Sequence, residues 1–200
     1  MILSLDASTA RASVALVSGQ SVAREEFLDS PRGRGGALFS TLQAILSDGV
    51  QLSRVIVGTG PGSYNGIRSA IAVAWGVSAA RTIPLIGISS LLGLDEAIYC
   101  AVGDARRGQY YFACVGDGNF IAEPELLEES QIADALKRFP HAPVFAPAPI
   151  EFVPGLVVRT PSAVRLARLA ADWTPNFPQP IYLKAPHITT PRQKRGSLEK

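Results

Sequence analysis

The residue of this chain best placed for chemistry is Asp6. It ends the apolar run Ile2-Leu3-Ser4-Leu5 and is followed closely by the hydroxyls of Ser8 and Thr9. In a phosphotransferase, a carboxylate at a strand end holds magnesium while neighbouring hydroxyls meet phosphate. That chemistry also requires a second acidic contact and a second phosphate loop. The candidate is Asp104-Ala105-Arg106-Arg107-Gly108, whose arginines and glycine read first as a hairpin turn. A further site-like segment runs from Gly58 to Gly66 (GTGPGSYNG). Glycines between a strand and a helix N-terminus present free N–H groups to an anion. The spacing nevertheless fails the dinucleotide fingerprint, which needs glycine where Ser63 stands, and no Gly-Lys-Ser/Thr follows to make a P-loop. Arg68, one turn into the next helix, offers a cation either to the loop or to a partner's carboxylate.

Metal and nucleophile chemistry find little support. The two histidines, His141 and His187, each stand beside a proline, and neither His-x-x-x-His nor Cys-x-x-Cys occurs. Cys100 and Cys114 fall in apolar strand-like runs at 98–102 and 109–115, where free cysteine behaves as a small hydrophobe. No Gly-x-Ser-x-Gly elbow surrounds Ser63. No catalytic residue, metal or cofactor is therefore expected.

The elements that position these residues follow from hydrophobic periodicity. Runs at 2–5, 12–17 and 21–27, joined by small-residue turns, predict an antiparallel meander. Leu38, Leu42, Ile45 and Leu46 recur at helical spacing, predicting a helix over 36–48 after the flexible Arg32-Gly33-Arg34-Gly35. A strand at 54–57, a helix from Gly66 to Arg81, a strand at 84–88 and a short helix from Ser89-Ser90 to Glu96 come next. Within the long helix Gly66, Ala70, Ala74 and Ser78 recur every fourth residue, a ridge of little side-chain bulk that suits either packing on the sheet or docking of another backbone. Sixteen of the 18 glycines precede residue 119 and 11 of the 15 prolines follow residue 139, so the rear half reads as short elements between proline-bounded loops. Pro140 to Pro149 reads as a loop around one short strand. The expected organisation is a first lobe at 1–97, a smaller second lobe at 98–183 and a tail at 184–200.

With 200 residues, 47% hydrophobic and 18% charged, the chain is expected to bury a core and not to be disordered. Its longest uncharged stretches are 13 residues, short of the roughly 20 that span a bilayer. No basic segment precedes Asp6, so a cytoplasmic chain without a secretory leader is expected. Charge is uneven: residues 184–200 hold five basic side chains and one acid, a tail able to touch phosphate weakly.

Taken in order, Leu3 to Leu16 (LSLDASTARASVAL), Gly60 to Arg68 (GPGSYNGIR), Ile86 to Leu91 (IGISSL), Asp104 to Tyr110 (DARRGQY) and Ile181-Tyr182-Leu183 resemble the TsaB (YeaZ) family. The resemblance covers most of the chain. It implies an α/β protein of the actin/Hsp70-like (RNase H-like) fold, with two lobes and a reduced second one. It further implies a noncatalytic paralogue of the catalytic subunit TsaD in the complex that makes threonylcarbamoyladenosine on tRNA. A TsaD-like subunit and a TsaE-like ATPase are the implied partners, with a homodimer when the chain is alone. The implied partner-binding residues are Gly62, Ser63, Tyr64, Asn65, Gly66, Arg68, Ala70, Ala74 and Ser78, on a docking face formed by the helices at 36–48 and 66–81. Tyr64-Asn65 stands where the family usually has Phe-Thr. The competing reading is an ATP-dependent phosphotransferase or hydrolase of the same fold, resting on Asp6, Ser8 and Thr9.

Overall fold

A computed structural model describes residues 1–29, 36–46 and 49–183. The chain opens with β1 (Ile2–Asp6), β2 (Arg11–Ser18) and β3 (Ser21–Asp29), then α1 (Gly36–Leu46), β4 (Arg54–Gly58), α2 (Tyr64–Arg81) and β5 (Leu85–Ile88). A single 3-10 turn, Ser90–Gly93, stands in place of the short helix expected through Glu96. There follow β6 (Ile98–Asp104), β7 (Gln109–Gly116), β8 (Asn119–Glu128), α3 (Glu129–Lys137), β9 (Val144–Ala146), β10 (Val157–Val158) and α4 (Ala163–Leu169). The flexible segment expected at 32–35, the end of the first helix at Asp48 and the tail at 184–200 lie outside the described residues.

The strands form two five-stranded sheets, ordered β3-β2-β1-β4-β5 and β10-β9-β6-β7-β8. In each, the first three strands are an antiparallel meander, and the fourth and fifth add in parallel to the first strand and to each other. The two sheets thus share one topology, although no periodicity in the sequence announces a repeat.

Strand alternation sorts the side chains of each sheet into two cores. On the outer face of the first sheet, Leu3, Leu5, Val14, Leu16, Val55 and Val57 pack with Leu38, Leu42 and Ile45 of α1 and with Ala70 and Ala74 of α2. On the outer face of the second, Cys100, Val102, Phe112 and Cys114 pack with Ile132 and Ala135 of α3. Cys100 and Cys114 face each other directly across β6 and β7. The inner faces meet in a shared core, in which Ala15, Ile56, Ile86 and Ile88 join Tyr99, Ala101, Ala113 and Phe145, with Leu166 and Ala167 of α4. Residues past Thr160 do not stay with the second sheet. Ser162 caps α4 through its side chain, the Ala163 N–H donates to Ser13 Oγ at 2.9 Å, and the Arg54 guanidinium donates to the Ala171 carbonyl. Beyond α4, the Asn176 side chain accepts from the Gly87 N–H at 2.7 Å and donates to the Gly87 carbonyl at 3.0 Å, covering the free edge of β5.

Candidate functional site

Asp6 and Gly58 end the neighbouring parallel strands β1 and β4, the position where open α/β sheets ordinarily gather ligands. Asp6 is fully buried. Its Oδ1 accepts from the Ser8 N–H at 2.9 Å and the Ser8 hydroxyl at 2.7 Å. Its Oδ2 sits over Gly58, where a Cβ would come within 1.8 Å of it, so residue 58 must be glycine. Burial raises the Asp6 carboxyl above its ordinary value, and the nearby Ser90 and Ser8 hydroxyls oppose that rise only in part. From the second sheet, the Tyr111 ring lies against Gly103, and burial together with the Asp6 charge pushes its phenol up. Thr9, in the turn between β1 and β2, by contrast donates to the Arg11 carbonyl at 2.8 Å.

The glycine loop is bonded into the protein. Thr59 N–H donates to the Ile88 carbonyl at 2.8 Å, Gly60 N–H to Ser90 Oγ at 2.8 Å, and Ser63 N–H to the Ser8 carbonyl at 2.7 Å. Ser63 is the N-cap of α2 and accepts from the Gly66 N–H at 3.3 Å, so the helix begins at Tyr64, two residues earlier than the sequence reading places it. A Cβ on Gly62 would meet the Ser8 carbonyl, and one on Gly66 the Ala7 carbonyl, each at 2.0 Å. These glycines let the β1–β2 turn and the loop touch backbone to backbone. The Gly60–Pro61 peptide bond is cis.

The other phosphate-loop candidate is indeed a hairpin turn between β6 and β7. Arg106 and Arg107 both have left-handed backbones, at φ 70° and 61°. Asp104 accepts from the Arg106 N–H at 2.6 Å and from its guanidinium at 3.3 Å. Among the described residues, no three histidine, cysteine or acidic side chains converge as metal ligands, and no helix is long and apolar enough to cross a membrane.

The expected partner-binding residues divide between the loop before α2 and two faces of that helix. Gly62, Ser63, Tyr64, Asn65 and Arg68 are exposed, while Gly66 is half-buried. Ala70 and Ala74 are fully buried, and half-buried Ser78 donates to the Ile83 carbonyl at 2.6 Å. The ridge therefore carries α2 onto the sheet, so Ala70 and Ala74 cannot themselves touch a partner, and the docking use of that ridge is corrected. The outward face presents Arg68, Ala72, Trp75, Gly76 and Ala79. Trp75 is 57% exposed, and Phe39 of α1, on the same side of the sheet, is 62% exposed. Ala72, Gly76 and Ala80 make a second small ridge, so small-residue spacing alone selects no phase. The available signal was Ile67 with Ile71, apolar bulk that marks the buried side.

A 3-2-1-4-5 sheet with an antiparallel meander and two parallel additions, present twice, is the unit of the RNase H-like fold. The protein is accordingly a two-lobed, actin-like α/β protein with a reduced second lobe. The family model for TsaD, tRNA N6-adenosine threonylcarbamoyltransferase, matches residues 38–135. The tRNA threonylcarbamoyladenosine biosynthesis protein TsaB of Escherichia coli is 30% identical over 124 residues, which make up 56% of this chain and 53% of that protein. Its counterpart in Bacillus subtilis is 28% identical over 147 residues, or 68% of this chain and 64% of that protein. The chain thus spans between about half and two thirds of the length of these curated relatives. YeaZ from Pseudomonas aeruginosa superposes with a TM-score of 0.73 at 25% identity, covering 91% of this chain and 99% of that one. Over these spans the chain is similar to the TsaB (YeaZ) family.

Proposed function

We propose that this chain is a noncatalytic docking subunit in the synthesis of threonylcarbamoyladenosine at position 37 of tRNA, and that it binds a TsaD-like catalytic subunit through the outer faces of α1 and α2. The observation that carries this reading is the exposure of Trp75 and Phe39 on two helices covering the same sheet face. Large aromatic side chains left in water on otherwise small-residue surface are the usual anchors of a protein interface. The names of the relatives supply the pathway. Gly62, Ser63, Tyr64, Asn65 and Arg68 would form one end of the contact, and Ala70, Ala74 and Ser78 would hold α2 in place from beneath. A paralogous partner would present comparable helices, and without it a second copy of this chain would occupy the same face. A TsaE-like ATPase would join that assembly.

The noncatalytic part of the reading is supported by two features. N–H groups of the glycine loop are bonded to Ile88, Ser90 and Ser8 instead of being offered to a phosphate. The space between the sheets is filled by the shared apolar core. The phosphotransferase alternative needs the Asp6 carboxylate within reach of a hydrated cation, and that carboxylate is buried.

Titration calorimetry of the chain against the TsaD-like protein of the same organism tests the proposal. Trp75→Glu should weaken binding at least about a hundredfold, as expected for an aromatic anchor, while leaving the thermal midpoint unchanged. Undiminished binding by a folded Trp75→Glu protein would contradict the docking face. Magnesium-dependent ATP binding by the isolated chain, lost in Asp6→Ala, would favour the phosphotransferase instead.

A further inference from the structure

Cys100 of β6 and Cys114 of β7 are the two cysteines of the chain, and the strand register sets them directly opposite each other. The Cys100 N–H donates to the Pro143 carbonyl at 2.9 Å, on the β9 side, so the backbone polar groups of Cys100 turn away from β7. The two residues therefore occupy a non-hydrogen-bonded position of the antiparallel ladder, where Cα atoms lie about 4.5 Å apart and side chains come closest. That spacing falls within the roughly 4.4–6.8 Å that a disulfide spans. Both thiols are fully buried in the core beneath α3, with Val102, Phe112, Ile132 and Ala135, and they hydrogen bond to each other.

Alanine or valine would supply the apolar volume, so packing does not account for two sulfurs in contact. We propose that Cys100 and Cys114 form an intramolecular disulfide when hydrogen peroxide oxidises the chain, clipping β6 to β7. Burial pushes both thiols up, Cys100 to about 12, and their hydrogen bond holds the proton on Cys100 while opposing the rise at Cys114. Cys114 is thus the first to ionise, in chains whose second sheet has opened beneath α3. Its thiolate attacks one peroxide oxygen, the O–O bond breaks, and the released hydroxide takes a proton to become water, leaving a sulfenic acid on Cys114. The Cys100 sulfur then attacks the sulfenic sulfur, the S–S bond forms, and the hydroxyl leaves with the thiol proton as a second water. The sulfur pair gives up two electrons, and peroxide is reduced by the same two. The burial that slows this reaction also shields the finished bond from soluble thiols. Neither cysteine lies on α1 or α2, so the proposal is independent of the docking reading.

The test treats the full chain with hydrogen peroxide, alkylates free thiols in denaturant, and reads the peptide map and the thermal midpoint. The monomer should yield a peptide pair joining Cys100 to Cys114, with neither cysteine alkylated. Its midpoint should rise by about 5 °C or more, as expected for closing a loop of that length in the unfolded chain. Dithiothreitol in denaturant should restore both thiols. Urea below the unfolding midpoint should speed closure, because it populates the opened sheet. Cys100→Ala should gain oxygen at Cys114 with no rise in the midpoint. Four results would each overturn the proposal: two free thiols after exposure in that urea, oxygen added separately to the two sulfurs of the parent, a bond between chains in place of the internal one, or an oxidised protein no more stable than the reduced one.

Discussion

The two sheets repeat one topology and then part company between their fourth and fifth strands. In the first, β4 and β5 are joined through the 18-residue helix α2, whose inner side is small and whose outer side carries Trp75. In the second, β9 and β10 are joined by a segment containing Pro147, Pro149 and Pro154, which interrupt any helix of comparable length. The turns after the first strands differ in the same direction. Asp6 and Asp104 occupy equivalent strand ends, and each accepts from the N–H two residues on, at 2.9 and 2.6 Å. Asp6 is sealed beneath a glycine loop, whereas Asp104 stands in solvent with Arg106. One lobe has used the shared frame to fix and display a helical surface. The other supplies the counter-sheet that closes the inner core.

The contrast can be broken most severely on α2. Ala74→Trp forces an indole between helix and sheet and should cost about 3 kcal/mol or more, whereas Ala72→Trp on the outer side should stay within roughly 0.5 kcal/mol. Urea denaturation reads both, and the reverse order would mean that the faces of α2 have been exchanged. Next come the turn glycines. Gly66→Ala drives a methyl group into the Ala7 carbonyl and should cost about 2 kcal/mol. In the second lobe, a Cβ on Gly108 meets nothing within 4 Å, so Gly108→Ala should cost only about 1 kcal/mol, for its φ of +70°.

Titration of Asp6 is a subtler test. Its folded carboxyl is raised above the ordinary 3.8, so the folded chain holds this proton more tightly than the unfolded chain does. The associated stability is complete below the unfolded value and declines as pH rises from there through the raised folded value. Asp6→Asn should abolish that decline in denaturation series across acidic pH, and parallel curves for parent and variant would show that the buried carboxyl is not its source. The smallest effect concerns the second lobe's own core. Burial pushes the Cys100 thiol up to about 12 and raises Cys114 as well. Both should resist a thiol reagent in the folded chain and react once it is denatured. Rapid labelling of the native protein would show that the sheet opens beneath α3.

Much of this frame was legible in the residues. The meander, both long helices and the strands at 54–58, 85–88, 98–104 and 109–116 follow from periodicity and glycine turns, because buried strands and amphipathic helices write their period directly into the chain. The destination of α4 was not legible, since Leu166 and Ala167 report that they are buried but not against which sheet. The repeated topology was hidden because β9 and β10, at three and two residues, are too short to display a period. At the site, the failure of the glycine loop to match a nucleotide motif was readable from Ser63. That its glycines admit the carbonyls of Ala7 and Ser8 required coordinates, because close approach between distant backbones leaves no spacing rule behind.

Hydrogen–deuterium exchange of the chain, alone and with its TsaD-like partner, tests most directly whether one lobe docks while the other supports. The account predicts slowed exchange in peptides covering Gly36–Leu46 and Tyr64–Arg81, with little change across β7, β8 and α3. Protection confined to the second sheet, with none on α2, would contradict it.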